Sequence, residues 1–139
     1  INQDLCRYPL IWVASPKLEI KDQPMSLSEL SCWPIVTYPR KSEPYMVIRS
    51  LVDPMNHSTR VHSSSSLSTI IRMTVDGLGV SALPGEIVHD ELGNGKLRRL
   101  QVDGDAKLPD LAFSAAFRAG PGGTVVQAIA ELAVATAHK

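Results

Sequence analysis

Residues 63–84 read SSSSLSTIIRMTVDGLGVSALP and predict a hydroxyl-rich loop, an amphipathic helix, a glycine stop and a strand in unbroken succession. Ser65 or Ser66 can cap the start of the helix, and the Asp76-Gly77 pair can end it, because glycine accepts the left-handed backbone that closes a helix. The spacing i, i+3, i+4, i+7, i+8 predicts which side chains face a core. They are Leu67, Ile70, Ile71, Thr74 and Val75.

The apolar run at 78–83 is interrupted only by Gly79 and Ser81, and Pro84 stops it. Such a run predicts a strand buried on both faces of a parallel sheet. A helix followed by a strand is half of a βαβ unit. The glycines at 77 and 79 do not form a dinucleotide-binding fingerprint, because that motif needs a strand before its glycines and a helix after them.

The rest of the chain alternates strands with helices, which predicts an α/β fold with a largely parallel sheet. Ser26 and Glu29 have the spacing of a capping box, so a short helix is expected to begin there. A second helix begins at Glu43 or Pro44, since proline is accepted in a first turn. We expect strands at 9–15, 33–37, 59–62, 96–102 and 111–118, and further helices at 26–31, 43–52, 84–92 and 124–138.

Composition excludes several classes of function. The 139 residues are 44% hydrophobic, and 14 basic residues balance 14 acidic ones, so the chain has no electrostatic footprint for nucleic acid or an anionic membrane. The apolar run at 8–14 is too short to span a bilayer. Cys6 and Cys32 are expected to be reduced thiols rather than a disulfide. The chain begins at Ile1, so we expect it to be part of a longer polypeptide or a processed product.

No residue pattern predicts catalysis, a metal site or a cofactor. The serines at 63–66 lack the flanking glycines of a nucleophile elbow, and the four histidines have no motif spacing to any serine. No pair of histidines, cysteines or clustered carboxylates falls at ligand spacing. Trp12 and Trp33 each lie in an apolar strand segment, which favours core packing over stacking on nucleic acid. We therefore do not expect an enzyme.

The order of motifs resembles the effector-binding domain of LysR-type transcriptional regulators, whose fold is like that of type 2 periplasmic binding proteins. The resemblance covers nearly the whole chain. Its most specific part is the segment at 77–84 followed at the expected distance by that at 91–97. The motifs, in order, are IWVASPKL (11–18), SLSEL (26–30), PIVTY (34–38), VHSSSS (61–66), GLGVSALP (77–84), DELGNGKL (90–97) and AFRAGPGGTVVQAIAELA (116–133).

The resemblance implies two Rossmann-like subdomains, of which the first is incomplete in this chain. Residues 1–16 would be the end of the first regulatory subdomain and the crossover strand, 17–96 the second regulatory subdomain, and 97–139 the return crossover and the remainder of the first. The family's amino-terminal winged helix-turn-helix is absent from this chain. DNA contact is therefore expected only through that absent domain.

Two loops are candidates for a binding site. In open α/β sheets ligands lie at the carboxyl ends of parallel strands, and the loops at 38–42 and 63–66 occupy that position. Both lead into helix starts, whose free amides and dipole favour anions. In the resembled family these loops contribute to effector binding. The candidate effector-binding residues are Tyr38, Arg40, Lys41, Ser42, Ser63, Ser64, Ser65 and Ser66.

Four of these residues also have a simpler interpretation. Arg40 and Lys41 could belong to a solvated loop, and Ser65 or Ser66 could serve only to cap a helix. We expect Ser42→Ala to weaken effector binding with little change in stability. Ser66→Ala is expected to lower stability even without ligand.

The resemblance implies a cytoplasmic domain that senses a small effector, anionic or a carboxylate, in the cleft between the subdomains, with no cofactor and no membrane contact. The alternative is a type 2 solute-binding protein of a transport system. The family also implies a homo-oligomer, a dimer of effector domains and a tetramer when full-length. The helix at 44–52 carries Met46, Val47 and Leu51, which could form the interface or face the core.

Overall fold

The computed structural model describes residues 2–103, 108–116, 129, 131–133 and 135–136. The chain divides into two compact units, one formed by Ile1–Tyr8 with Asp110–Lys139 and the other by Pro9–Pro109. The elements are β1 (Asn2–Ala14), α1 (Leu27–Leu30), β2 (Ile35–Thr37), α2 (Glu43–Val52), β3 (Val61–Ser63), α3 (Leu67–Val75), β4 (Ser81–Pro84), α4 (His89–Gly93), β5 (Arg98–Arg99) and β6 (Asp110–Ala116).

The strands of the larger unit belong to two sheets, one with a parallel pair and one with antiparallel pairs. β2 pairs with β3 in parallel, and a parallel bridge at Val80 joins β2 to the segment that leads into β4. β1 runs antiparallel to both β4 and β5. The α/β class is thus confirmed. The prediction of a largely parallel sheet was wrong, because β4 and β5 both pair antiparallel with β1, and local sequence patterns do not fix the direction in which distant strands pair.

The helices follow the local signals closely. Ser26 accepts the Glu29 amide at 3.1 Å, which is the N-cap half of the predicted capping box, and its hydroxyl donates to the Glu29 carboxylate at 3.4 Å. α2 begins at Glu43 and ends at Val52, as expected. α3 ends in a Schellman motif, in which Gly77 has a φ of +85° and the Leu78 amide donates to the Met73 carbonyl at 3.1 Å.

This helix end explains two departures from the expected strand at 78–83. Leu78 belongs to the cap and is 51% exposed instead of buried. The strand itself, β4, begins only at Ser81, and all four of its residues are buried. Similarly, α4 begins at His89 rather than at 84, because the preceding residues form a turn closed by backbone bonds to Pro84.

The core of the larger unit is built from β1, β2 and β4 with one face of each longer helix. Trp12 is buried, while Trp33 is half-buried. Of the five residues expected to face the core from α3, only Ile70 and Thr74 are fully buried. The largest fully buried side chains are Leu30, Ile35, Ile48, Ile70, Leu83, Leu97, Val13, Val36, Val52, Val80, Val88 and Thr37.

In the smaller unit, β6 pairs with β1, and the Tyr8 and Phe113 rings meet edge to face with centroids 5.8 Å apart. The structure describes six residues of the expected terminal helix, and all six are helical. Ile129 and Leu132, expected on its apolar face, are 62% and 67% exposed. The prediction for Val125 lies outside the described residues.

Candidate effector site

The two candidate loops begin side by side. Thr37 and Ser63 are the last residues of β2 and β3, and they face each other in the parallel register. The Ser64 amide donates to the Thr37 carbonyl at 3.0 Å, which extends this contact one residue into the second loop. The structure therefore brings the loops at 38–42 and 63–66 together at the carboxyl ends of two parallel strands, where ligands of α/β sheets bind.

Thr37 is a residue of this region that the sequence analysis did not select. Its side chain is fully buried, and its hydroxyl has no hydrogen-bond partner among the described residues. A buried hydroxyl without a partner is unfavourable by about 1–3 kcal/mol and is uncommon in folded proteins. Its position at the end of an apolar strand directly before a basic loop was the only available sequence signal.

Tyr38 is held in the core rather than presented to solvent. It is 6% exposed, and its hydroxyl donates to the Ala82 carbonyl of β4 at 2.7 Å. Burial raises the pKa of the Tyr38 hydroxyl well above its ordinary value, so the group stays protonated at physiological pH. A direct hydrogen bond donated to an effector would have to replace this internal one.

Ser42 closes the first loop and begins α2. Its amide and its hydroxyl both donate to the Pro39 carbonyl, at 2.9 and 2.6 Å. Its oxygen also accepts the Tyr45 amide at 3.3 Å, which is the bond of a helix cap. Ser42 is therefore structural whether or not it also contacts a ligand.

The second loop is a small hydroxyl cluster. The Ser64 hydroxyl accepts the Ser66 amide at 3.2 Å, and Ser66 in turn caps α3 by accepting the Thr69 amide at 3.3 Å. Between the two possible caps, the structure selects Ser66. Ser63 and Ser65 are exposed, and no hydrogen bond to either side chain occurs within the described part of the chain.

Two cations accompany these hydroxyls. Arg40 and Lys41 are exposed, and neither forms an ion pair with a residue that the structure describes. Glu43, in the first turn of α2, is also exposed and offsets one of these charges. The local balance of one net positive charge, together with the positive ends of two helix dipoles, favours a small anion.

We expect Ser42→Ala and Ser66→Ala each to lower the free energy of unfolding by about 1 kcal/mol, because each removes a helix cap. This revises the expectation that only Ser66 matters for stability. Chemical denaturation of both variants without ligand measures the effect. Ser50→Ala is the control, since Ser50 is exposed and its hydroxyl bonds only to the Val47 carbonyl within α2. Equal stability of Ser42→Ala and the native protein would contradict the capping role.

Within the described ranges, no group of three histidine, cysteine or carboxylate residues could hold a metal ion. In the same residues, no helix has the length and apolar character to cross a bilayer. Cys6 and Cys32 are free thiols. A cavity of about 910 Å³ lies elsewhere in the larger unit, and none of the eight candidate effector-binding residues lines it.

The family model of the LysR substrate binding domain matches residues 1–137. The chain belongs to this family. The identification confirms the resemblance found in the sequence and the type 2 periplasmic-binding-protein-like fold. No curated protein is similar enough to this LysR substrate-binding domain to count as a relative.

Solved structures agree with the fold of this LysR domain. The regulatory domain of HypT from Salmonella typhimurium is 20% identical, with a TM-score of 0.64 over 97% of this chain and 66% of that one. The regulatory domain of MetR, a LysR family regulator from N. meningitidis, is 18% identical with a TM-score of 0.64, over 96% of this chain and 62% of that one. Corynebacterium glutamicum OxyR is 18% identical with a TM-score of 0.58, over 99% of this chain and 44% of that one. The chain thus spans about two thirds of the HypT regulatory domain, less than two thirds of the MetR regulatory domain and less than half of OxyR.

Proposed function

We propose that this LysR domain senses a small anionic effector, such as a carboxylate, at the adjoining ends of β2 and β3. The observation that carries the proposal is the Thr37 hydroxyl, which is fully buried and lacks a partner in the described structure. The hydroxyl is covered in this structure, so we propose that a small shift of the loop at 63–66 uncovers it, and a ligand that accepts its hydrogen bond would then remove the penalty of the unpaired hydroxyl. The binding residues proposed with it are Arg40, Lys41, Ser42, Ser63, Ser64, Ser65 and Ser66, with Tyr38 as the support of the first loop.

The donors around this point suit an acid better than a neutral ligand. Exposed serine hydroxyls, the first amides of α2 and α3, and the two cations of the first loop can all donate to carboxylate oxygens. Nothing in this set is a nucleophile paired with a base, so the chemistry it supports is binding, and we propose no catalysis. No resident cofactor is needed for such a role.

The proposal places the domain in a transcriptional regulator rather than in a transport system. Its family is that of LysR substrate-binding domains, and the three solved relatives named above are regulators or regulatory domains. We propose that DNA contact belongs to another domain of the full protein, that the protein is cytoplasmic, and that it assembles as a dimer of effector domains and a tetramer when full-length. The subdomain boundaries 1–16, 17–96 and 97–139 remain part of this proposal.

The α2 helix gives one observation relevant to oligomers. Met46 is 62% exposed, Val47 and Leu51 are half-buried, and Ile48 and Val52 fill the core. The residues of α2 that pack in the core, Ile48 and Val52, are thus not the residues suggested for an interface. A role of Met46 in the proposed dimer is therefore compatible with the packing of α2.

A thermal-shift screen of small carboxylates and aromatic acids on the intact protein tests the proposed function. An acid present at a hundred times its dissociation constant stabilises the folded state by about 2.7 kcal/mol. For such an acid, we expect the double substitution Arg40→Gln and Lys41→Gln to weaken binding about tenfold, because it removes charge-assisted hydrogen bonds in a partly screened loop.

Lys96→Gln is the control for loss of a surface cation, since Lys96 is also exposed and lies outside both loops. We expect it to leave the affinity within about twofold of the native value. All three substitutions lie at exposed positions, so stability should change by less than about 0.5 kcal/mol. The proposal fails if no acid stabilises the protein, or if the double variant and the Lys96 variant bind an acid equally well.

A further inference from the structure

We propose that Tyr38 is a positioning residue of the effector site, which holds the loop at 39–42 in its binding conformation by anchoring it to β4. The inference rests on the proposed function and deepens it, because it assigns a role to a residue that does not have to touch the effector. The anchor is the 2.7 Å hydrogen bond that the Tyr38 hydroxyl donates to the Ala82 carbonyl. These two residues are 44 positions apart in the chain.

The loop behaves as one closed turn. Two donors of Ser42 converge on the Pro39 carbonyl, and Ser42 also caps α2 through the Tyr45 amide. Pro39 to Ser42 and the first turn of α2 are therefore bonded to one another. Tyr38 is the residue that precedes this turn, and its ring is buried while Pro39, Arg40 and Lys41 are exposed.

The loop can therefore shift only if Tyr38 moves with it or the backbone between them bends. Movement of Tyr38 would expose its ring and break the bond to the Ala82 carbonyl. Both changes are unfavourable, since a buried carbonyl left without its donor and an exposed aromatic ring each raise the free energy. The anchored loop thus presents the cations and the α2 amides in one arrangement, and a preorganised loop binds with less ordering entropy.

The Tyr38 hydroxyl has a single hydrogen, and the Ala82 carbonyl accepts it. Tyr38 acts on the effector through the position of the loop. The nearest comparable bond in the fold is that of Ser81, whose hydroxyl donates to the Val36 carbonyl, also at 2.7 Å. It joins β4 to β2 before the loop begins, whereas Tyr38 directly follows the end of β2. Ser81 therefore provides a matched internal standard for Tyr38.

Hydrogen exchange of the native protein, Tyr38→Phe and Ser81→Ala, all without ligand, tests the role of Tyr38. The reporters are the amides of Ser42, Tyr45 and Met46, which are bonded within the turn and the first turn of α2. We expect these amides to exchange about fivefold faster in Tyr38→Phe than in Ser81→Ala, because only the first variant releases the loop. Phenylalanine keeps the ring in the core, so the variant should fold.

The amides of Thr69 and Ile70 at the start of α3 serve as the second internal reference. Their exchange should be the same in the two variants. Equal exchange of the Ser42, Tyr45 and Met46 amides in both variants, or acceleration of every reporter alike, would overturn the positioning role. Acid binding is measured in the separate screen, so a failure of the proposed function is recognised independently of this result.

Discussion

Replacing Gly79 by alanine should lower the free energy of unfolding by about 3 kcal/mol or more, because the new methyl group would overlap backbone atoms. A Cβ on Gly79 would lie 2.4 Å from the Pro34 carbonyl oxygen and 2.8 Å from its carbon. Pro34 cannot easily move away, since its carbonyl accepts the Val80 amide at 2.8 Å and the next residue, Ile35, is fully buried. Chemical denaturation of the intact protein measures the change.

Two other glycines calibrate this result. Gly77→Ala meets only the Lys17 side chain, at 3.3 Å, but has a φ of +85°, so we expect a loss of about 1 kcal/mol. Gly93→Ala meets nothing within 4 Å and lies at the end of α4, so stability should stay the same or rise slightly. A Gly79→Ala protein as stable as the Gly93→Ala protein would show that the backbone segments at Gly79 and Pro34 move apart without difficulty.

Thr37→Val should separate binding from stability more sharply than any other substitution in the site. Valine has nearly the same shape as threonine and lacks the hydroxyl that has no partner in the described structure. Without ligand, we expect the free energy of unfolding to rise by about 1 kcal/mol. The affinity for an acid found in the screen should fall about 10- to 100-fold, the effect of losing a hydrogen bond to a charged group.

Thr74→Val is the matched control, because Thr74 is also fully buried but its hydroxyl donates to the Ile70 carbonyl at 2.7 Å. This variant should lose about 1 kcal/mol of stability and keep the native affinity. Thermal melting and calorimetry on both variants give the two quantities. Unchanged affinity in Thr37→Val would show that the ligand does not bond to this hydroxyl. The hydroxyl would then no longer belong to the proposed site.

The helices and the family were predictable because their signals are local. α2 begins and ends at the expected residues, and α1 is capped by Ser26, which accepts the Glu29 amide as predicted. Caps, helical periodicity and a glycine stop act within about four residues, so the chain encodes them without reference to the rest of the fold. The order of these motifs was sufficient to indicate the LysR family, and the family model confirms it.

The prediction that two loops follow parallel strands was also possible from sequence, since it depends only on the order of the elements. β2 and β3 are parallel, and the residues that end them, Thr37 and Ser63, are partners in the register. What the sequence could not provide was the state of each side chain. Tyr38, Ser42 and Thr37 occupy neighbouring positions around one loop, yet the first is an anchor, the second a cap and the third a buried hydroxyl.

The sequence by itself therefore determined where α1, α2 and α3 start and stop, the α/β class and the family, because those properties depend on near neighbours in the chain. Only the tertiary structure decided that β4 runs antiparallel to β1, that Gly79 lies against Pro34, and that the Tyr38 hydroxyl meets the Ala82 carbonyl. These contacts join residues more than 40 positions apart. Local propensities carry no information about which distant carbonyl or strand arrives at a given side chain, since packing of the whole sheet determines it.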